Sequence, residues 1–141
     1  MPEEKLYYIG VKALIRDEHG QLLVLRIQKP GRAYYDLPGG RIAEGESPID
    51  ALRREVREET GIAELRNEQL LGMAISPVHI PITPVKSGGL VFAIYACDAE
   101  MPASLQPEAN MEITWCDEAD ALEKLSDYPQ ELLATISRTT P

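Results

Sequence analysis

The chain opens with two apolar stretches, each about as long as a β-strand. Residues 6–15 and 21–27 are rich in Leu, Ile, Val and Tyr, a composition that favours strands. Between them, the sequence Asp17-Glu18-His19-Gly20 is typical of a tight turn. The pattern therefore predicts a β-hairpin made by the first two strands.

Shorter elements follow along the rest of the chain. Strands are predicted at residues 34–37, 69–75, 90–97 and 112–116. Residues 76–89 and 98–110 are predicted to be long loops, and such loops are often functional in compact domains. Two short helices are predicted at residues 117–125 and 129–137, the second beginning with Pro. Together these elements predict a mixed α/β layout.

One helix, at residues 48–60, has both of its ends marked in the sequence. Ser47 is a good N-cap, Pro48 suits the first helical position, and Asp50 stands where a capping box places its acidic residue. Gly61 supplies the left-handed residue that commonly ends a helix. The helix is therefore predicted between these two signals.

Two faces of this helix differ in character. At about 100° per residue, Glu55, Glu58 and Glu59 fall on one face because they are three and four positions apart. The adjoining apolar stripe consists of Ile49, Leu52 and Val56. We therefore expect the stripe to pack inward and to hold the acidic face at the edge of the core.

The acidic face has two interpretations. It can be a solvated surface on which arginines pair with the glutamates, for example Arg54 with Glu58. However, like charges such as Glu55 and Glu59 repel one another, and carboxylates late in a helix oppose its dipole. A bound divalent cation would explain an arrangement that costs stability. Oxygen ligands without neighbouring His or Cys favour Mg²⁺ or Mn²⁺ over zinc.

Length and composition indicate one ordinary globular domain. The chain has 141 residues, of which 44% are hydrophobic and 26% charged. The longest nearly apolar run, residues 90–97, is far shorter than the ~20 residues that span a bilayer. The start of the chain lacks a secretory signal, so we expect a cytoplasmic protein. Cys97 and Cys116 are predicted to be reduced, buried thiols.

The net charge of −9 constrains the partners of the chain. Long nucleic acid is an unfavourable partner, because its binding depends mostly on Lys and Arg neutralising phosphates. A small phosphate-bearing ligand meets the same repulsion unless divalent cations invert the local field. The charge therefore agrees with a metal on the acidic face.

The spacing around the acidic helix resembles the Nudix box at every defined position. Five residues separate Gly40 from Glu46, and seven separate Glu46 from Arg54. The sequence then continues as Glu55-Val56-Arg57-Glu58-Glu59-Thr60-Gly61-Ile62. The preceding Tyr35-Asp36-Leu37-Pro38-Gly39-Gly40 is similar to the family's approach to the box, with Tyr where Trp is frequent. Residues 112–118 resemble the strand and helix that usually follow in these proteins.

The resemblance implies an α+β fold, an α/β/α sandwich with a mixed β-sheet between helices, formed by one domain of residues 1–141. It implies divalent-cation-dependent hydrolysis of a nucleoside diphosphate linked to another group. The metal-facing and catalytic positions fall on Glu55, Glu58 and Glu59, with the Gly40 carbonyl as a further ligand. Glu46 and Arg54 match positions that are more often paired structurally.

The general base is left open by the resemblance, because in this family it can be a box glutamate or an acid on a later loop. Glu58 is the first choice, and Glu108 and Glu112 are the alternatives.

Substrate contacts must come from outside the helix. The candidates are Arg26 and Arg41 for phosphates, Tyr35 for stacking on a base, and His79 in the predicted loop at residues 76–89.

The position of Pro77 resembles that in ADP-ribose-cleaving members, so ADP-ribose or a nucleotide sugar is preferred as substrate. Nucleoside triphosphates are the alternative. A non-catalytic nucleotide-binding or protein-binding module is the rival from another class, and isomerisation of an isoprenoid diphosphate has no supporting motif. A homodimer is compatible with the sequence.

Overall fold

The computed structural model describes residues 4–83 and 86–138. Seven strands and three helices lie in these two ranges. The strands are β1 (Tyr7–Ile15), β2 (Leu22–Lys29), β3 (Arg32–Asp36), β4 (Gly39–Arg41), β5 (Glu64–Thr83), β6 (Lys86–Glu100) and β7 (Met111–Cys116). The helices are α1 (Pro48–Thr60), α2 (Glu118–Lys124) and α3 (Gln130–Ile136). No helix in this part of the chain is long and apolar enough to cross a membrane.

The strands of the described ranges form a four-stranded sheet in the order β4-β1-β6-β5 and a three-stranded sheet in the order β3-β2-β7. The first sheet is mixed, because β1 runs parallel to β6 and antiparallel to β4. Alternate residues of β1 and β2 enter two hydrophobic clusters, one beneath α1 and the other beneath α2 and α3. The predicted mixed sheet between helices is confirmed.

The predicted hairpin between the first two strands is wrong. The turn itself forms, since the amide of Gly20 donates to the carbonyl of Asp17 at 3.0 Å. Beyond it, the two chains share one isolated bridge, Arg16 to Leu22, within the described residues. Both edges of β1 are already paired, with β4 and β6, so β2 pairs instead with β3 and β7.

The predicted loop at residues 76–89 is also wrong where the structure describes it, because β5 extends to Thr83, β6 begins at Lys86, and the two strands pair antiparallel. Residues 84 and 85 of this prediction lie outside the described residues. Pro and Gly in this segment favour a loop when only local sequence is considered. The ladder accommodates Pro77 by a register shift between Ser76 and Ile80. Such irregularities are where a strand tolerates a residue without an amide hydrogen.

Helix α1 begins and ends where the sequence predicts. The Ser47 hydroxyl accepts a hydrogen bond from the Asp50 amide at 3.1 Å. At the other end Gly61, with φ of 81°, donates its amide hydrogen to the carbonyl of Arg57 at 2.9 Å. The fully buried residues of its apolar stripe are Ala51, Leu52 and Val56. Ile49, which was predicted in this stripe, is only half-buried.

The turn at residues 37–39, which leads from β3 into β4, passes very close to β1. The amide of Ala13 donates to the carbonyl of Pro38 at 2.8 Å, and Gly39 adopts a φ of 146°. A methyl group added to Gly39 would lie 2.0 Å from the carbonyl oxygen of Val11. Only glycine therefore fits at this point of the turn.

Replacing Gly39 with Ala should lower the free energy of unfolding by at least about 3 kcal/mol, because the substitution adds both a steric clash and backbone strain. Gly31→Ala is the matched control, since Gly31 also has a positive φ, 79°, but has nothing within 4 Å of an added methyl. The control should lose only about 1 kcal/mol. Urea unfolding measures both, and equal losses would contradict the close approach to Val11.

Candidate active site

The acidic face of α1 meets the chain at two consecutive glycines. The amide of Gly39 donates to Oε1 of Glu59 at 2.7 Å. A methyl group added to Gly40 would lie 2.5 Å from the carboxyl carbon of Glu55. The absence of side chains on Gly39 and Gly40 therefore allows two glutamates of α1 to approach the backbone of β4.

The three glutamates of the acidic face differ in exposure. Glu59 is buried, the Glu55 side chain is 18% exposed, and the Glu58 side chain is 51% exposed. Burial raises the pKa of Glu59 to about 7, although the Gly39 amide and Lys12 act in the opposite direction. Burial also raises the pKa of Glu55, against the effect of Arg54. Both carboxyl groups therefore resist ionisation when no cation is bound.

Arg54 links these glutamates to Glu46. Its guanidinium makes two hydrogen bonds to Glu46, at 2.7 and 2.9 Å, so the predicted structural pair is present. The hydrogen bonds from Arg54 lower the pKa of Glu46 to about 2. Nη1 of Arg54 also lies 2.9 Å from Glu55 and 3.3 Å from Glu58. A positive charge therefore already stands between two carboxylates of the acidic face.

The donor atoms of this face suit a hard divalent cation by type. They are carboxylate oxygens next to a glycine backbone, and the described residues place no His or Cys in contact with them. In the conformation described, residues 4–83 and 86–138 contain no group of three or more acidic, His or Cys side chains close enough to hold a metal. The chemistry of the donors fits a cation, while in this conformation Glu55 and Glu58 contact Arg54 and Glu59 contacts the Gly39 amide.

A buried polar cluster that the sequence analysis did not identify lies beside the turn. The Lys12 ammonium donates to Oδ2 of Asp36 at 2.9 Å, and the Tyr128 hydroxyl donates to Oδ1 of Asp36. The Tyr128 ring stacks on Phe92, with the ring centroids 5.5 Å apart. A lysine inside the apolar stretch Gly10-Val11-Lys12-Ala13-Leu14-Ile15 was the available signal.

Of the predicted substrate-binding residues that the structure describes, one lies in the first sheet and two lie in the second. Arg41 lies on β4 with its guanidinium 4.8 Å from the ring centroid of Tyr8. Arg26 and Tyr35 are cross-strand neighbours in the other sheet, and Lys124 lies 5.2 Å from the Tyr35 ring. The side chain of His79 is outside the part of the structure that is described.

The alternative general bases lie outside α1. Glu108 is exposed in the segment before β7, and its carbonyl accepts a hydrogen bond from the amide of Met111 at 2.9 Å. Glu112 is exposed on β7, opposite Arg26. Neither residue has a hydrogen bond to the acidic face among the described contacts.

A separate cavity of about 540 Å³ opens at the carboxyl end of β1. Its lining includes Leu14, Arg16, Asn67 and Cys97, and none of the α1 glutamates. Burial raises the pKa of Cys97 to about 12, so this thiol is a poor nucleophile. Both cysteines are free thiols, as expected, with Cys116 buried and Cys97 half-buried.

The fold and the spacing of the acidic face define a family. Residues 6–136 match the NUDIX domain, and the chain belongs to this family.

The MutT protein from Methanosarcina mazei Go1 is a similar solved structure, with a TM-score of 0.68 and 28% identity over 97% of this chain and 95% of that one. ADP-ribose pyrophosphatase from Methanocaldococcus jannaschii is 33% identical over 95 residues, 67% of this chain and 54% of the relative. 8-oxo-dGTP diphosphatase from Haemophilus influenzae is 42% identical over 57 residues, 39% of this chain and 42% of the relative.

The match covers only part of the first curated relatives, between 31% and 54% of their length.

The raised pKa of Glu59 predicts how metal-free stability depends on pH. Because the folded-state pKa of about 7 exceeds the ordinary 4.5, the folded protein keeps a proton that the unfolded chain releases between these values. Stability should therefore fall as the pH rises from 4.5 to 7, by roughly 3 kcal/mol in total. Glu59→Gln removes this loss and should be more stable than the original at pH 8.

The stability difference between Glu59→Gln and the original should shrink as the pH falls towards 5. Urea unfolding at both pH values with a chelator present measures it, and Glu44→Gln, at an exposed position, is the control. A difference independent of pH would show that ionisation of Glu59 is not the cause.

Proposed function

We propose that this chain is a Mg²⁺- or Mn²⁺-dependent pyrophosphohydrolase that cleaves the diphosphate of a nucleoside diphosphate linked to another group. The observation that carries the proposal is the position of Glu55 and Glu59 against Gly40 and Gly39, at the end of a complete Nudix box. On an ordinary solvated acidic face, Glu59 would be exposed and Glu55 would not lie against the backbone of Gly40.

In this proposal Glu55, Glu58 and Glu59 hold the cation, with the Gly40 carbonyl as a further ligand. A bound divalent cation would polarise the diphosphate oxygens, lower the pKa of bound water and offset the developing negative charge. The Gly39 amide orients Glu59 through Oε1. Arg54 keeps its two bonds to Glu46 when its contacts with Glu55 and Glu58 are given up to the cation.

Glu58 is the proposed general base, because its side chain is the most exposed of the three and can reach a water molecule at the surface. Glu108 and Glu112 stay as alternatives, since both are exposed. Arg26, Arg41, Tyr35 and His79 stay proposed substrate contacts.

We favour ADP-ribose or a nucleotide sugar as the substrate. A relative whose match covers 67% of this chain is an ADP-ribose pyrophosphatase. The second candidate is a nucleoside triphosphate. It is supported by the match to an 8-oxo-dGTP diphosphatase, which covers 39% of this chain. A single domain over residues 1–141, a cytoplasmic location and a homodimer stay predictions.

Mg²⁺ should stabilise the folded protein, by about 2.7 kcal/mol at a concentration near 100 times its Kd. Glu59→Gln removes one ligand charge, so it should reduce this stabilisation and lower kcat/KM by at least about 100-fold. Thermal unfolding with and without Mg²⁺, together with phosphate assays, measures both effects.

Asp50→Asn is the matched control for Glu59→Gln, because it removes one exposed carboxylate from the first turn of the same helix. The control should keep both the Mg²⁺ response and the hydrolysis. If Glu59→Gln behaves like Asp50→Asn, α1 does not carry the metal site.

Water should add across the P–O–P bond of the favoured substrates, so that each product carries one phosphate monoester. ADP-ribose would yield a nucleoside monophosphate and a phosphorylated ribose. Chromatography of the products from ADP-ribose, a nucleotide sugar and a nucleoside triphosphate tests the ranking. Cleavage of triphosphates alone would reverse it, and cleavage of nothing with any divalent metal would favour a nucleotide-binding module.

A further inference from the structure

Lys12 is a charged residue in the interior of the protein. Its residue exposure is 6%, and its neighbours on β1, Val11 and Ala13, are fully buried. Burial alone would lower the pKa of Lys12, but the Asp36 carboxylate offsets this and the pKa ends above its ordinary value. Lys12 is therefore a charged partner of Asp36 inside the fold.

Asp36 makes several hydrogen bonds with its two carboxylate oxygens. Oδ2 accepts from Lys12, and Oδ1 accepts from the Tyr128 hydroxyl and from the amide of Leu37 at 2.8 Å. Leu37 is the first residue after β3 and leads directly into the turn at Pro38. Asp36 therefore holds the Leu37 amide through Oδ1, and is itself held by Lys12 and by Tyr128.

The same turn places the acidic face. Lys12 is the register partner of Gly39 in the pairing of β1 with β4, and the Gly39 amide binds Glu59. The chain of contacts runs from Tyr128 through Asp36 to the turn and ends at the carboxylate of Glu59. The segment between α2 and α3, which holds Tyr128, is thereby connected to α1.

We propose that Asp36, held between Lys12 and Tyr128, is a positioning residue that orients Glu59 through the turn at residues 37–39. The inference rests on the proposed hydrolysis for its effect on rate. The effect on the geometry of the turn follows from the hydrogen bonds alone.

Lys12 is buried and Asp36 is half-buried, and an ion pair withdrawn from water in this way is a costly means of obtaining stability alone. Apolar residues of similar volume are often as stabilising as such a pair, whereas removing one partner leaves an uncompensated charge. Phe92 and the Tyr128 ring already provide an apolar surface around Lys12. Geometric control of the turn gives the cluster a function that an apolar replacement would not supply.

The first test removes the Tyr128 hydroxyl, which donates to Asp36 and also accepts a hydrogen bond from the amide of Leu37 at 3.4 Å. Tyr128→Phe keeps the ring that stacks on Phe92, so the hydrophobic packing is retained. We expect kcat to fall on the order of 10-fold while KM changes by less than about 2-fold, as for a group that orients a catalytic residue. Tyr95→Phe is the matched control, since Tyr95 is half-buried and no hydrogen bond of its hydroxyl is recorded in the described residues.

A second readout does not depend on activity. Hydrogen exchange of the Gly39 amide, measured without metal, should become at least about tenfold faster in Tyr128→Phe. The amide of Leu23, in the hydrophobic cluster beneath α1, should exchange as in the original protein. Equal acceleration at Gly39 and Leu23 would indicate a general loss of stability and would overturn the proposal.

The second variant replaces the ion pair with apolar side chains, as Lys12→Met with Asp36→Leu, made in the Tyr128→Phe background so that no buried hydroxyl loses its acceptor. If the cluster only stabilises the fold, this triple variant should retain both its Tm and its activity. We expect the Tm to stay close to the original, kcat to fall on the order of 10-fold and the Gly39 amide to exchange faster. Unchanged kcat and exchange in a folded triple variant would overturn the proposal.

The two proposals fail in different ways. If the original protein is inactive but the Gly39 amide exchanges faster in Tyr128→Phe, the proposed hydrolysis is contradicted and the role of Asp36 in the turn is supported. An active original protein in which Tyr128→Phe matches Tyr95→Phe in kcat and in exchange would contradict the role of Asp36 alone.

Discussion

The hydrogen bond from the Gly39 amide to Glu59 joins α1 to the sheet, and the geometry of the acidic face depends on it. Gly39 also lies against the carbonyl of Val11 with no room for a side chain. Gly40 allows Glu55 to approach in the same way. Gly39 and Gly40 therefore allow the α1 glutamates to approach the backbone, in addition to forming the turn.

Burial makes ionisation of Glu55 and Glu59 unfavourable, and a bound cation would offset this cost. Desolvation raises the pKa of both carboxyl groups, while Arg54 neutralises part of the charge on the exposed side. Arg54 has a second and stronger attachment in Glu46, so it stays anchored whichever way its contacts with the α1 glutamates change. Because the net charge is −9, the proposed binding of an anionic ligand at this face would require such a cation.

The elements that failed as predictions share one property, which is that their pairing is not local. The turn predicted at Asp17–Gly20 forms, but the strands beside it belong to different sheets, because both edges of β1 are paired with other strands, β4 and β6. Pro77 favours a loop when only the neighbouring residues are considered. In the structure, pairing with β6 keeps this segment in a strand, with a register shift between Ser76 and Ile80. The strands that pair with β1 and with β5 cannot be identified from the residues next to them in the sequence.

The sequence by itself determined α1, its two caps and its acidic face, because a helix is built from contacts three and four residues apart. Only the tertiary structure decided that Glu59 is buried and Glu58 exposed, since that depends on which side of the helix meets the β4 backbone. It also decided that Asp36 contacts both Lys12, 24 positions earlier, and Tyr128, 92 positions later. Contacts between such distant residues form only when the strands and helices pack together.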